Sequence, residues 1–119
     1  MSKKKILIVE DDFMLSMINR KYLEMMGHLV VDSVTNGPDA IEAVKKHMPD
    51  IILMDLRLDG GMDGIETMQE ISKFSDAPAI YLTGNSDEEN KSRALQTNML
   101  AFCVKPVHFE QLQQLLLKI

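Results

Sequence analysis

The chain has 119 residues, of which 45% are hydrophobic and 26% are charged, with a formal net charge of −5. This length predicts a single domain over residues 1–119. The negative charge argues against direct nucleic-acid binding, which requires a basic face, and no apolar run approaches the ~20 residues of a membrane span. The lone Cys103 lies in an apolar run and is expected to be a buried, inert thiol. With no signal-peptide pattern, we expect a cytoplasmic protein.

The first strand is predicted over residues 4–9, where an apolar run precedes the three acids Glu10, Asp11 and Asp12. A helix follows at once, with Asp12 as its expected N-cap and Gly27 as its stop. Helical spacing predicts one buried face, formed by Met14, Leu15, Ile18, Tyr22, Met25 and Met26.

Residues 29–34 are predicted to form the second strand. Pro38 suits the first turn of the next helix, which is expected to end at Met48 and Pro49. Its buried face should contain Ala40, Ile41 and Val44. The third strand, residues 51–55, has four apolar residues in a row before Asp55, which indicates a strand covered on both faces.

The second half of the chain continues the alternation. A third helix is predicted over residues 63–74, a fourth strand over 78–82 and a fifth strand over 100–104. The fourth helix should begin at a capping box of Ser86 and Glu89 and be loosely held. The only apolar candidates for its buried face are Ala94, Leu95 and Met99. The buried face of the third helix should contain Ile65, Met68 and Ile71. That of the last helix should contain Leu112, Leu115, Leu116 and Ile119.

Five repeats of strand and helix predict an α/β fold, a doubly wound, flavodoxin-like parallel sheet in the order 2-1-3-4-5 with five helices. In that order, the carboxyl ends of strands 1, 3, 4 and 5 meet at one edge. They bring together the acids at residues 10–12 with Asp55, Thr83 and Lys105.

This group of side chains predicts a cation site. Adjacent carboxylates repel one another unless a cation lies among them, and oxygen ligands without His or Cys favour Mg²⁺. Lys105 supplies a second positive charge, Thr83 a hydroxyl, and Gly84 an unobstructed backbone amide. The combination suits phosphoryl transfer onto a carboxylate. Each residue alone also has an ordinary role, such as the capping of a loop by Asp55.

The chain resembles the receiver domain of two-component response regulators over essentially its whole length. The resemblance is carried by residues 6–11, Leu53-Met54-Asp55, Met62-Asp63-Gly64, Thr83-Gly84 and Val104-Lys105-Pro106. It implies a phosphoacceptor switch that takes its phosphoryl group from a sensor histidine kinase or a histidine phosphotransfer protein.

The resemblance also implies a role for each matching residue. Asp55 would be the phosphoacceptor, Thr83, Gly84 and Lys105 would bind the phosphoryl group, and the Lys105-Pro106 bond would be cis. Mg²⁺ would be held by Asp11, Asp55 and the backbone carbonyl of Arg57, and by Glu10 through water. Thr83 and Phe102 would be the switch residues, whose movement changes the surface formed by helix 4, strand 5 and helix 5. The alternative for Phe102 is a static aromatic side chain that does not move on activation.

Two features depart from the family pattern. The loop after Asp55 is one residue longer and has Asp59 where a proline is common, so we expect a more mobile loop. Arg57 and Asn85 occupy variable positions that are linked to the lifetime of the phosphorylated state, and the role of the Arg57 side chain stays open.

Two other functions are weighed against the switch. An aspartyl-phosphate metabolic phosphatase would need an acid two residues after Asp55, where this chain has Arg57. A docking module that is never phosphorylated would lack Asp55, Lys105 or the acidic pair. The sequence leaves open the downstream protein or fused output domain, and whether the chain is a monomer or dimerises on phosphorylation.

Overall fold

The computed structural model describes residues 3–84 and 88–119. Strands and helices alternate along the chain. They are β1 (Lys5–Val9), α1 (Phe13–Met25), β2 (Leu29–Val34), α2 (Gly37–His47), β3 (Ile51–Asp55), α3 (Gly64–Ile71), β4 (Ala79–Thr83), α4 (Glu88–Leu95), β5 (Met99–Val104) and α5 (Phe109–Leu116).

The five strands form one parallel sheet in the order β2-β1-β3-β4-β5, which confirms the predicted topology. Every residue of β3 is buried, as expected for a central strand covered on both faces. One face of the sheet packs against α2, α3 and α4, and the other packs against α1 and α5. The sheet therefore lies between two helical layers, and its carboxyl edge remains available for a site.

The predicted signals at both ends of α1 and in the first turn of α2 are present. Asp12 caps α1 by accepting hydrogen bonds from the amides of Met14 and Leu15. Gly27, with φ of +91°, follows the end of that helix, a conformation that glycine adopts at little cost. Asn36 caps α2, and Pro38 lies in the first turn of that helix.

The predicted buried face of α1 is wrong for three of its six residues. Met14, Ile18 and Met25 are exposed by 64%, 41% and 64%, and only Leu15, Tyr22 and Met26 of the predicted set are partly buried. The residues that α1 buries are Ser16, Asn19 and Leu23. Ser16 is accommodated because its Oγ lies 2.6 Å from the Oγ of Ser33 on β2. A hydrogen-bonded polar residue thus takes a position that apolar periodicity alone assigned elsewhere.

Three further boundaries differ from the prediction. The third helix ends at Ile71 rather than at residue 74, because the amides of Lys73 and Phe74 bond to carbonyls three residues back and tighten the last turn. Met99 belongs to β5 rather than to the fourth helix. Ile119 lies beyond α5 and is 38% exposed. The apolar stripe continues past the helix, so periodicity alone did not show where the helix ends.

Helix α4 is weakly packed, as predicted, since Ala94 is its only residue that is described as buried and Leu95 is 61% exposed. The proposed capping box at Ser86, like the variable position Asn85, lies outside the described residues. Across residues 3–84 and 88–119, no helix is long and apolar enough to cross a membrane.

Candidate functional site

Asp55 is the last residue of β3 and is buried at the carboxyl edge of the sheet, with 2% of its surface exposed. Its Oδ1 accepts a hydrogen bond of 3.2 Å from the amide of Arg57. The carboxylate forms part of a cleft of about 170 Å³, lined by Asp55, Leu56, Arg57, Thr83, Gly84, Asn90 and Lys105. The predicted convergence of strands 3, 4 and 5 is therefore present.

Lys105 reaches the same cleft from the residue after β5. Its Nζ lies 2.9 Å from Asp55 Oδ2 and 3.2 Å from Glu10 Oε1, and its side chain is 19% exposed. The Lys105-Pro106 peptide bond is cis, as the resemblance implied. One ammonium group therefore lies between two buried carboxylates that come from different strands.

The carboxylates of Glu10, Asp11 and Asp55 form an acidic cluster, with one oxygen of each within 4.8 Å of the others. Burial raises the pKa of Glu10 to about 8, and the neighbouring Asp55 carboxyl adds to the increase. For Lys105, burial lowers the pKa, but the nearby Asp55 and Glu10 carboxylates together outweigh burial and leave the pKa raised. The cluster thus favours positive charge and bound protons.

Two buried oxygens of this cluster fit the predicted metal. Among the described residues, Glu10 Oε1 and Asp55 Oδ2 receive no hydrogen bond of good geometry, although both face the Lys105 ammonium. Buried polar atoms without such a bond are uncommon and costly. A hard cation would satisfy both atoms, and the oxygen-only ligand set fits Mg²⁺.

The remaining predicted residues lie near this cluster in different ways. Thr83, at the end of β4, is 7% exposed and lines the cleft, as does the exposed Gly84. Phe102, on β5, is partly buried, and its ring centroid lies 6.3 Å from that of Tyr81. Arg57 is exposed and also lines the cleft. Thr83, Gly84 and Arg57 thus border the cleft, whereas Phe102 packs beside Tyr81.

The acid in the loop that follows Asp55, Asp59, lies farther from the cluster. Asp59 is exposed and pairs as an isolated bridge with Asn36, before α2. It also lines a separate open groove with Gly60 and Met62. Asp59 is therefore not one of the acids that lie within 4.8 Å of one another in the cluster.

Sequence reasoning missed two residues near the site, Asn90 and Arg93, both on α4. Asn90 lines the cleft, and Arg93 bonds to both Asn90 and Asp63. Their spacing of three residues places them on one side of a helix. This spacing, in a polar helix that follows Thr83, is the sequence feature that could have indicated these two residues.

Comparison with known proteins gives a consistent result. Residues 6–117 match the family model described as the response regulator receiver domain. The probable dicarboxylate response regulator DctR of Priestia megaterium is 32% identical over 98% of this chain, which spans 52% of that protein. The transcriptional regulatory protein ZraR of Klebsiella oxytoca is 35% identical over 91% of the chain, which spans 24% of it. The chain thus matches only part of each relative.

Solved structures show the same similarity. The signal receiver domain of a modulated diguanylate cyclase from Desulfovibrio desulfuricans superposes with a TM-score of 0.91 at 31% identity, over 98% of this chain and 93% of that chain. A response regulator receiver domain protein from Methanospirillum hungatei gives 0.89 at 26% identity, with coverages of 98% and 93%.

Proposed function

Because the chain belongs to the family of response regulator receiver domains, we propose that it is the phosphoacceptor switch of a two-component phosphorelay. The family is one of signalling domains rather than of classical enzymes. The observation that carries the proposal is the buried Asp55 carboxylate in a cleft lined by Thr83, with the Lys105 ammonium 2.9 Å away.

In the proposed reaction, an Asp55 oxygen attacks the phosphorus of a phosphohistidine on a sensor kinase or histidine phosphotransfer protein. An oxygen–phosphorus bond forms, the phosphorus–nitrogen bond breaks, and the imidazole leaves with the electron pair. Lys105 would pair with the phosphoryl oxygens, and Thr83 and the Gly84 amide would donate hydrogen bonds to them; all three residues line the cleft beside Asp55. Positioning and charge neutralisation supply most of the catalysis in such transfers.

The acidic cluster would hold Mg²⁺ through Asp11, Asp55 and the carbonyl of Arg57, with Glu10 acting through water. When bound, the ion neutralises negative charge on the phosphoryl oxygens and on the carboxylates. Glu10, whose pKa is raised to about 8, would release its proton as the positive charge of the ion replaces it.

Phosphorylation adds a charge of about −2 to the cleft. We expect Thr83 to move towards it and Phe102 to follow, which would change the surface formed by α4, β5 and α5. The weak packing of α4, with only Ala94 described as buried, makes this shift inexpensive. A cytoplasmic location and a downstream protein or fused output domain complete the proposal.

Incubation with Mg²⁺ and acetyl phosphate, followed by intact-mass measurement, tests the proposed function. We expect one phosphoryl adduct on the wild type, no adduct on Asp55→Asn, and loss of labelling when a chelator removes the metal. Equal labelling of both proteins would exclude Asp55 as the acceptor. An unlabelled wild type that still binds Mg²⁺ would favour a docking module.

A further inference from the structure

Helix α4 contributes a side chain to the cleft that no expected role includes. Asn90, in the first turn of α4, lines the cleft together with Asp55, Thr83 and Lys105. Its side chain is a neutral amide, which can donate two hydrogen bonds through nitrogen and accept through oxygen. The orientation of that amide therefore decides what it offers to a phosphoryl group.

Arg93 fixes that orientation. Its Nη1 donates a hydrogen bond of 3.0 Å to Asn90 Oδ1. A guanidinium has only donors, so the Asn90 atom that faces it must be the oxygen. The amide nitrogen, with its two N–H groups, is then at the opposite side of the side-chain terminus.

Arg93 is itself held by the N-terminus of α3. The same Nη1 lies 3.2 Å from Asp63 Oδ2. Asp63 is fixed by a capping box, in which its Oδ1 accepts from the amide of Glu66 and its own amide donates to the Glu66 carboxylate. The neighbouring Gly64 amide bonds to the Leu56 carbonyl, just after Asp55. A continuous set of bonds thus runs from the end of β3 through α3 to Asn90.

We propose that Asn90 is a phosphoryl-binding residue of this site, and that Arg93, held by Asp63, is the positioning residue that turns its amide N–H groups towards the phosphoryl oxygens. This inference rests on the proposed function and adds a contact from α4 itself. Because Asn90 and Arg93 lie on α4, the phosphoryl group would bond directly to the helix that is least tightly packed.

The test is a calorimetric titration with beryllium fluoride, a tetrahedral phosphoryl mimic, at saturating Mg²⁺. We expect Asn90→Ala to weaken the affinity for the mimic about tenfold, the effect of losing one hydrogen bond to a charged group. Asn90→Asp should weaken it further, because a carboxylate lacks N–H donors and repels the mimic. The affinity for Mg²⁺ alone should stay unchanged in Asn90→Ala, which adds no charge to the cleft.

The Ala variant also separates this role from a structural one. If Asn90 only bonded to Arg93, the loss of its N–H donors in Asn90→Ala would leave the affinity for the mimic at the wild-type value. That result, or wild-type affinity in Asn90→Asp, would overturn the proposal.

Arg93 is tested through a double-mutant cycle. Arg93→Met and Asp63→Asn, which retains an N-cap residue, should each weaken binding of the mimic, but neither should have a further effect in the Asn90→Ala background. An effect that persists there would mean that Arg93 acts by its charge alone, and would overturn its positioning role. Lys91→Met removes the same charge from an exposed site on α4 and is the matched control.

The two proposals fail in different ways. If the wild type neither binds the mimic nor accepts phosphoryl from acetyl phosphate, the proposed function fails and this inference fails with it. If the wild type does both and the Asn90 variants match it, only this inference fails.

Discussion

The Lys105 ammonium lies 2.9 Å from Asp55 Oδ2 and 3.2 Å from Glu10 Oε1, so one cation separates two buried carboxylates that come from different strands. In the absence of metal, this cation holds the acidic edge of the sheet together. Removing it leaves the two carboxylates facing each other, and burial makes unpaired charge expensive.

We therefore expect Lys105→Met to lower the free energy of unfolding by about 2 kcal/mol at pH 8 in the presence of a chelator. The loss should shrink at pH 5.5, where Glu10 carries a proton in the folded protein. Urea denaturation at the two pH values measures both effects. Lys118→Met removes an exposed lysine and is the control; equal stability of Lys105→Met and wild type at pH 8 would contradict the expectation.

Glu10 should give the metal-free protein an unusual pH dependence. Its folded pKa is raised from 4.5 to about 8, chiefly by burial. Between these values the folded state binds the proton more tightly than the unfolded chain, so the stabilisation is complete below pH 4.5 and is lost as the pH rises towards 8. Glu10→Gln, which cannot ionise, should remove this part of the slope.

Chemical denaturation of the wild type and Glu10→Gln from pH 5 to pH 8, with a chelator present, measures the difference in slope. Saturating Mg²⁺ should flatten the wild-type curve, because a bound cation replaces the proton. Parallel curves for the two metal-free proteins would show that Glu10 does not titrate in this range.

The observed buried face of α1 predicts unequal losses of stability for two aliphatic residues of this helix. Leu23 is fully buried, and Leu23→Ala should lower the free energy of unfolding by about 3 kcal/mol. Ile18 is 41% exposed, and Ile18→Ala should cost well under 1 kcal/mol. Urea denaturation of the two variants compares the faces directly, and similar losses would favour the face predicted from periodicity.

Gly64 lies too close to Asp55 to accept a side chain. A Cβ placed on Gly64 would overlap the Asp55 carbonyl oxygen, whereas a Cβ on Gly61 has no atom within 4 Å. We expect Gly64→Ala to lower the free energy of unfolding by about 2 kcal/mol, since the backbone of β3 or α3 must shift, and to slow labelling of Asp55.

Gly61→Ala in the same loop is the matched control for this crowding and should be close to neutral in both stability and labelling. Thermal unfolding and acetyl phosphate labelling of the two variants provide the comparison. A Gly64→Ala protein that behaves like Gly61→Ala would show that the loop absorbs the overlap without moving Asp55.

The sequence alone determined the sheet and the position of the site. Apolar runs that alternate with helical patterns predict parallel strands. The carboxyl ends of such strands lie at one edge of the sheet. The sequence alone therefore predicts that Asp55, Thr83, Lys105 and the acids after β1 lie at one edge of the sheet. The N-cap Asp12 could also be predicted from the sequence, because capping depends on neighbouring residues.

The tertiary structure decided what depends on contacts between elements. Periodicity counts apolar residues and cannot show that Ser16 is buried against Ser33 while Met14 and Ile18 face outwards. The raised pKa of Glu10 comes from burial and from a carboxylate that lies 45 residues away in the chain. The hydrogen bonds from Asp63 through Arg93 to Asn90 join α3 to α4. A local sequence pattern contains no information about which side chains of two different helices are in contact.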